Sequence, residues 1–211
     1  MSACMLRTGD HILFQGDSIT DADRGAPPGL GNGYVAVVRG FLSALRPDLR
    51  VTIANRGISG DRTAELLARW QKDCIDLKPA VLSIKIGVND VWRLAGEWQG
   101  QKHIPIPAFR DNYTPLLEQA RTAGVRQLVL VSPTTITPDN RSPLNDLLGE
   151  YADATRELAR TFDAVYVPAR DALLAARENL PDFAWTRDGC HPTVAGHAVL
   201  AACWLRATGV L

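Results

Sequence analysis

Ser18, Asp188 and His191 are residues of this 211-residue chain whose types and spacing suit chemistry on a carbonyl group. A serine hydroxyl is a poor nucleophile by itself, but an imidazole can remove its proton and later return that proton to the leaving group. Asp188 precedes His191 by three positions across a turn that contains glycine, so its carboxylate can reach the second ring nitrogen and fix the tautomer. Together these side chains indicate acyl transfer.

Acyl transfer also needs hydrogen-bond donors for the oxyanion of the tetrahedral intermediate. The candidates are the backbone N–H groups of Ser18 and Gly60 and the side-chain amide of Asn89. One such donor stabilises the transition state by roughly 2.7 to 4 kcal/mol, so the loss of one is expected to slow the reaction about a hundred- to a thousand-fold.

An alternation of short apolar runs with longer amphipathic stretches predicts the elements that must position these groups. Runs rich in β-branched residues predict strands at 12–15, 51–55, 81–86, 127–132 and 164–168. Helices are predicted at 32–45, 61–75, 106–123, 142–161, from 169 onward and at 193–208. This pattern is typical of a doubly wound α/β fold, with helices on both faces of a five-stranded parallel sheet in the flavodoxin-like order 2-1-3-4-5.

The candidate residues follow the predicted strands. In an open parallel sheet, ligands collect at the carboxyl ends of the strands, where residues 16–20, 55–60 and 87–90 stand, and residues 188–192 precede the last helix. Taken singly, each turn has a structural explanation: a tight loop at Ser18, a helix cap at Asn89 and a helix start at His191-Pro192. Their joint occurrence favours a catalytic site.

Composition excludes several classes of partner. The 23 basic residues balance the 23 acidic ones and no basic run occurs, so we do not expect a nucleic-acid partner. With 46% hydrophobic residues, the chain is expected to fold as one domain over residues 1–211. It shows neither a secretory signal nor an apolar stretch of about 18 residues, which predicts a cytoplasmic protein with no membrane contact.

No metal site is expected. The four cysteines (Cys4, Cys74, Cys190 and Cys203) are scattered without zinc-ligand spacing, and we interpret them as free thiols. Asp17, Asp21 and Asp23 are interpreted as capping and loop residues, and His11, His103 and His197 as structural. The oligomeric state stays open, a homo-oligomer included.

Four motifs resemble, in order, the four blocks of the GDSL, or SGNH, serine esterases: Gly16-Asp17-Ser18, Gly60, Gly87-Val88-Asn89-Asp90 and Asp188-Gly189-Cys190-His191-Pro192. The resemblance covers residues 10–205, although Ile19 stands where the family name has leucine. It implies a three-layer α/β/α fold and ester hydrolysis through Ser18, His191 and Asp188, with Gly60 and Asn89 in the oxyanion hole. It implies no metal and no organic cofactor.

Longer strings at 13–21, 55–60, 87–93 and 191–197 are similar to the intracellular acetylxylan esterases. This similarity implies an acetylated xylo-oligosaccharide as the small-molecule substrate and acetate as the released acid. Trp92 and Trp185 flank catalytic blocks and are candidate faces for a sugar ring, with core packing as the alternative. Arg93 is a candidate substrate contact, with ion pairing as the alternative.

Two other functions are compatible with these residues. Lysophospholipases, thioesterases and arylesterases use the same triad, but the lack of a long apolar lid segment favours a short acyl group. A flavodoxin-like binding module would hold a phosphate-bearing ligand on the loop after the first strand. That loop lacks a glycine-rich cradle and carries acidic side chains, which disfavour an anion.

Overall fold

The computed structural model describes residues 4–92 and 103–211, and within them a five-stranded parallel sheet has the order β2-β1-β3-β4-β5. The predicted strand order is thereby confirmed. The strands are β1 (His11–Gly16), β2 (Thr52–Asn55), β3 (Val81–Lys85), β4 (Gln127–Val131) and β5 (Val165–Val167). They lie within two residues of the predicted ranges, because a strand covered on both faces is an apolar run ended by turn residues.

The register brings the carboxyl ends of the central strands together. Phe14 of β1 pairs with Asn55 at the end of β2, and Gly16 pairs with Lys85 at the end of β3. Every residue of β3 is buried, as expected for the middle strand of a sheet with helices on both faces. The loops that follow these three strands therefore begin at one edge.

The described residues form the helices α1 (Ser18–Asp21), α2 (Tyr34–Leu45), α3 (Thr63–Ala68), α4 (Trp70–Asp73), α5 (Val88–Trp92), α6 (Ile106–Thr122), α7 (Pro143–Thr161), α8 (Ala169–Asn179) and α9 (Val194–Ala207). Single turns of 3-10 helix lie at Pro47–Leu49 and Ile75–Leu77. Ser142 and Thr193 stand immediately before α7 and α9 and cap these helices with their side chains.

One predicted helix differs from the structure. The range 61–75 forms α3 and α4, with Arg69 between them at φ −105° and ψ 5°. Nothing in the sequence marks this break, because neither glycine nor proline interrupts the run. The Arg69 guanidinium instead bonds to Asp61 at 2.6 Å and to Gln15 at 2.9 Å, so long-range contacts override local helix propensity here.

Within the described residues, no helix combines the length and apolar character needed to cross a membrane.

Candidate active site

Ser18 stands at the first position of α1, immediately after β1. Asp17 caps this short helix, since its carboxylate accepts a hydrogen bond from the Ile19 N–H at 3.0 Å. A residue at the first position of a helix has no intrahelical acceptor for its own N–H, so the Ser18 N–H is available to a ligand. Gly16 makes the turn possible, because a Cβ there would lie 2.2 Å from the Lys85 carbonyl oxygen.

The structure brings Ser18, His191 and Asp188 into a continuous hydrogen-bonded chain. Ser18 Oγ lies 3.0 Å from His191 Nε2, and His191 Nδ1 lies 2.7 Å from Asp188 Oδ2. Ser18 and His191 are 173 positions apart in sequence and meet only through the fold. This arrangement can pass a proton between the hydroxyl and the imidazole while the carboxylate stabilises the imidazolium.

The turn that carries Asp188 and His191 is held by its own backbone. Asp188 Oδ1 accepts hydrogen bonds from the N–H groups of Cys190 at 3.0 Å and His191 at 2.7 Å. Burial raises the pKa of Asp188, but the bonds from the His191 ring and these two N–H groups outweigh it and hold the pKa below its ordinary value. Asp188 is therefore ionised at neutral pH. Gly189 has φ +92°, and a Cβ there would lie 2.6 Å from the Pro138 nitrogen.

The predicted oxyanion donors share a cleft with the serine. Ser18, Gly60 and Asn89 line a hollow of about 330 Å³ together with Ser59, Trp92, Cys190 and His191, and we call it the oxyanion cleft. Asn89 Nδ2 donates to the Asp61 carbonyl at 3.0 Å, which fixes the orientation of the amide. A primary amide has a second N–H, and that one can serve a developing oxyanion.

The three residues that the sequence predicts as substrate contacts are Trp92, Trp185 and Arg93, and the two that the structure describes do not lie together. The Trp92 ring packs beside His191, with ring centroids 5.8 Å apart, and lines the oxyanion cleft. The structure does not bring Trp185 to this cleft. Its ring packs on Phe183, with ring centroids 4.7 Å apart, and it lines a separate hollow. Arg93 lies outside the described residues.

Three supporting residues were not identified from the sequence in these roles. Lys85, the last residue of β3, is fully buried with its ammonium 3.4 Å from the Asp17 carboxylate. Asp21, interpreted as a capping residue, accepts a hydrogen bond from the Ser59 N–H at 3.2 Å and so joins two of the loops. Asn55 donates to the Thr20 carbonyl at 2.6 Å. A lysine inside an apolar strand was the one visible signal, since a buried lysine requires a partner.

Two further groups near the cleft match the structural interpretations. Burial raises the pKa of the Cys190 thiol well above its ordinary value, so the thiol is a weak nucleophile. His197 accepts a hydrogen bond from the Tyr34 N–H at 3.1 Å, and burial lowers its pKa to about 4. Across residues 4–92 and 103–211, no three His, Cys, Asp or Glu side chains are grouped as metal ligands.

Comparison with known proteins gives consistent matches over nearly the whole chain. The model of the GDSL-like lipase/acylhydrolase family matches residues 14–199. An acetylxylan esterase from Geobacillus stearothermophilus is 34% identical over 209 residues, which cover 96% of this chain and 95% of that protein. The crystal structure of that organism's acetylxylan esterase Axe2 superposes with a TM-score of 0.89 at 34% identity, covering 97% of this chain and 96% of that one.

Further solved structures share the fold. LAE5, described as an alpha/beta hydrolase enzyme from the metagenome of Lake Arreo in Spain, superposes with a TM-score of 0.90 at 30% identity and 99% coverage of both chains. Others are catalytic mutants of Axe2 in which a serine, an aspartate or a histidine is replaced by alanine. In Axe2 that aspartate and that histidine are three positions apart, as Asp188 and His191 are here.

Proposed function

Because the chain belongs to the GDSL-like lipase/acylhydrolase family and is one of its serine esterases, we propose that it removes acetyl groups from acetylated xylo-oligosaccharides or related sugars. The observation that carries the catalytic assignment is the chain of contacts from Ser18 Oγ through His191 to Asp188. Ser18 is the proposed nucleophile, His191 the general base and acid, and Asp188 the residue that orients the imidazole.

In the first half-reaction, Ser18 Oγ attacks the acetyl carbonyl carbon while its proton passes to His191 Nε2. The carbonyl oxygen becomes an oxyanion and accepts hydrogen bonds from the Ser18 N–H, the Gly60 N–H and the Asn89 amide. When the intermediate collapses, the bond to the sugar oxygen breaks and His191 gives its proton to that oxygen. The sugar leaves as an alcohol, and Ser18 carries the acetyl group.

In the second half-reaction, water attacks the acetyl carbon of the acyl-enzyme and gives its proton to His191. The same three donors hold the oxyanion, because the carbonyl oxygen returns to the same place. Collapse breaks the bond to Ser18 Oγ, which takes the proton back from His191 and releases acetic acid. Asp188 stays ionised in both halves and stabilises each imidazolium.

A short acyl group is supported by the activity of a similar protein. The relative from Geobacillus stearothermophilus is an acetylxylan esterase, and a structure of a variant of it is described as an acetyl-xylooligosaccharide esterase. Both observations favour acetyl over a long acyl chain.

The nearest alternative is that the same three residues, Ser18, His191 and Asp188, hydrolyse a different acyl group. The protein would then be a lysophospholipase, a thioesterase or an arylesterase. A series of 4-nitrophenyl esters from acetate to decanoate separates these possibilities. We expect kcat/KM to be highest for acetate and to fall as the acyl chain lengthens. A maximum at a long chain would contradict the acetyl assignment.

The substrate itself is tested with a panel of acetylated xylosides and xylo-oligosaccharides whose products are followed by mass spectrometry. The expected result is stepwise loss of acetyl groups by the wild-type protein and none by Ser18→Ala. Hydrolysis of 4-nitrophenyl acetate with every acetylated sugar left intact would reject the carbohydrate substrate while leaving the esterase assignment in place.

A further inference from the structure

A second hollow lies beside the oxyanion cleft, and the two share Ser18, Ser59 and His191 as lining residues. This hollow, of about 210 Å³, is lined by Ser18, Ser59 and His191 and by the polar side chains of Asp21, Asp23, Asn32 and Arg187; we call it the polar hollow. The two hollows therefore meet at the proposed nucleophile and its base.

The proposed oxyanion donors line one of the two hollows, and this indicates which hollow holds the acetyl group. Gly60 and Asn89 line the oxyanion cleft but not the polar hollow. The carbonyl oxygen of a bound ester must point toward these donors, and Trp92 lines the same cleft. The acetyl group is thus assigned to the oxyanion cleft.

The leaving oxygen has to lie within reach of His191 Nε2, because that atom returns the proton when the alcohol departs. His191 lines both hollows. With the acetyl group in the oxyanion cleft, the alcohol extends into the polar hollow, which the imidazole also lines.

The side chains of the polar hollow suit a polyhydroxylated alcohol. The Asp21 carboxylate accepts hydrogen bonds from the Ser59 N–H and the Arg24 N–H, so it stabilises the loops that line the hollow. Asp23 Oδ2 accepts from Asn32 Nδ2 at 2.9 Å, which leaves Asp23 Oδ1 and the Asn32 amide oxygen as acceptors. Arg187 is exposed and lines the hollow, and within residues 4–92 and 103–211 its guanidinium makes no hydrogen bond or ion pair. Sugar hydroxyls can donate hydrogen bonds to Asp23 Oδ1 and to the Asn32 amide oxygen, and they can accept hydrogen bonds from the Arg187 guanidinium.

We propose that the polar hollow is the subsite for the departing sugar and that Arg187 and Asp23 determine the preference for a sugar ester over a simple ester. This inference rests on the proposed function, since it assigns the alcohol of the same reaction. Aryl acetates have one planar leaving group without hydroxyls and use the subsite little, whereas an acetylated xyloside offers several partners.

The test compares kcat/KM for an acetylated methyl xyloside with kcat/KM for 4-nitrophenyl acetate in wild type, Arg187→Ala and Asp23→Ala. The ratio of the two constants is expected to fall about tenfold in each variant, because one hydrogen bond to a charged group is lost only with the sugar. The loss should be in KM for the sugar, and Arg187→Lys should recover part of the ratio.

Arg160→Ala is the matched control, since Arg160 is an exposed arginine in the last turn of α7 and is not part of either hollow. It should keep the wild-type ratio. An unchanged ratio in Arg187→Ala and Asp23→Ala, with the wild type active on the xyloside, would overturn the subsite alone. A wild type active on 4-nitrophenyl acetate but inactive on the xyloside would overturn the proposed substrate and the subsite with it.

Discussion

Lys85 and Asp17 form a buried ion pair at the junction of β3 and the proposed nucleophile turn, with Lys85 Nζ 3.4 Å from Asp17 Oδ2 and side chains 0% and 1% exposed. Asp17 is also the residue that caps α1 and places Ser18. The pair therefore connects the central strand of the sheet to the position of the serine.

Replacing one member of this ion pair should lower the free energy of unfolding far more than replacing both members. Lys85→Met leaves a buried carboxylate without its counter-charge, and we expect the free energy of unfolding to fall by about 3 to 5 kcal/mol. Lys85→Met combined with Asp17→Asn removes both charges and keeps an oxygen to cap Ile19, so most of the loss should be recovered. Urea unfolding of both proteins measures this. A double variant no more stable than Lys85→Met would show that the pairing does not matter.

Asn89→Ala tests the proposed role of the Asn89 amide as an oxyanion donor. The alanine variant keeps the serine and the histidine but loses the amide, so kcat for 4-nitrophenyl acetate should fall about a hundred- to a thousand-fold with little change in KM. Asn179→Ala, at the exposed end of α8, is the matched control and should behave as wild type. A kcat for Asn89→Ala within about twofold of wild type would remove Asn89 from the catalytic site.

Asp188→Asn tests the orienting carboxylate. The amide is nearly the same shape but carries no charge and can no longer accept both backbone bonds and the imidazole N–H in the same way. We expect kcat to fall about 10⁴-fold, because the imidazole is no longer held in the tautomer that accepts the serine proton. Asp182→Asn, at an exposed position a few residues before the turn that carries Asp188 and His191, serves as control. Equal loss in both variants would point to general damage rather than to the carboxylate.

His197 makes the stability of the fold depend on pH. Burial lowers the pKa of His197 from 6.5 to about 4. Between about pH 6.5 and pH 4, His197 is therefore protonated in the unfolded chain and neutral in the folded chain. The free energy of unfolding should therefore fall as pH drops through this window, by about 3 kcal/mol from this group.

His197→Asn is the informative variant, because its amide oxygen can accept the Tyr34 N–H in place of Nδ1. Urea unfolding at intervals from pH 7 to 4 should show the wild type losing stability faster than the variant. Parallel curves for the two proteins would contradict the buried neutral imidazole.

The sequence predicted those parts of the molecule that depend on local pattern. Strand positions followed from apolar runs and turn residues, and strand order followed from the common arrangement of five-stranded doubly wound sheets. The rule that loops after parallel strands share one edge predicted that the loops carrying Ser18, Gly60 and Asn89 lie together, whereas the pairing of Ser18 with His191 was predicted from their residue types and the family resemblance.

What the sequence did not predict depends on contacts between distant segments. The break at Arg69 comes from bonds to Asp61 and Gln15 that no local pattern shows. The position of Trp185 depends on the path of the loop before Asp188, because adjacency in sequence does not fix which hollow a ring lines. Lys85 gave a signal, but its partner could be assigned only once β3 and β1 were paired.

Replacement of Ser18 tests the central claim most directly. Purified wild type, Ser18→Ala and the exposed control Ser43→Ala are compared for hydrolysis of 4-nitrophenyl acetate, with circular dichroism to show that each is folded. Ser18→Ala should lose at least about a thousandfold in kcat/KM while Ser43→Ala retains the wild-type value. Hydrolysis by folded Ser18→Ala at the wild-type rate would contradict the assignment of Ser18 as the nucleophile.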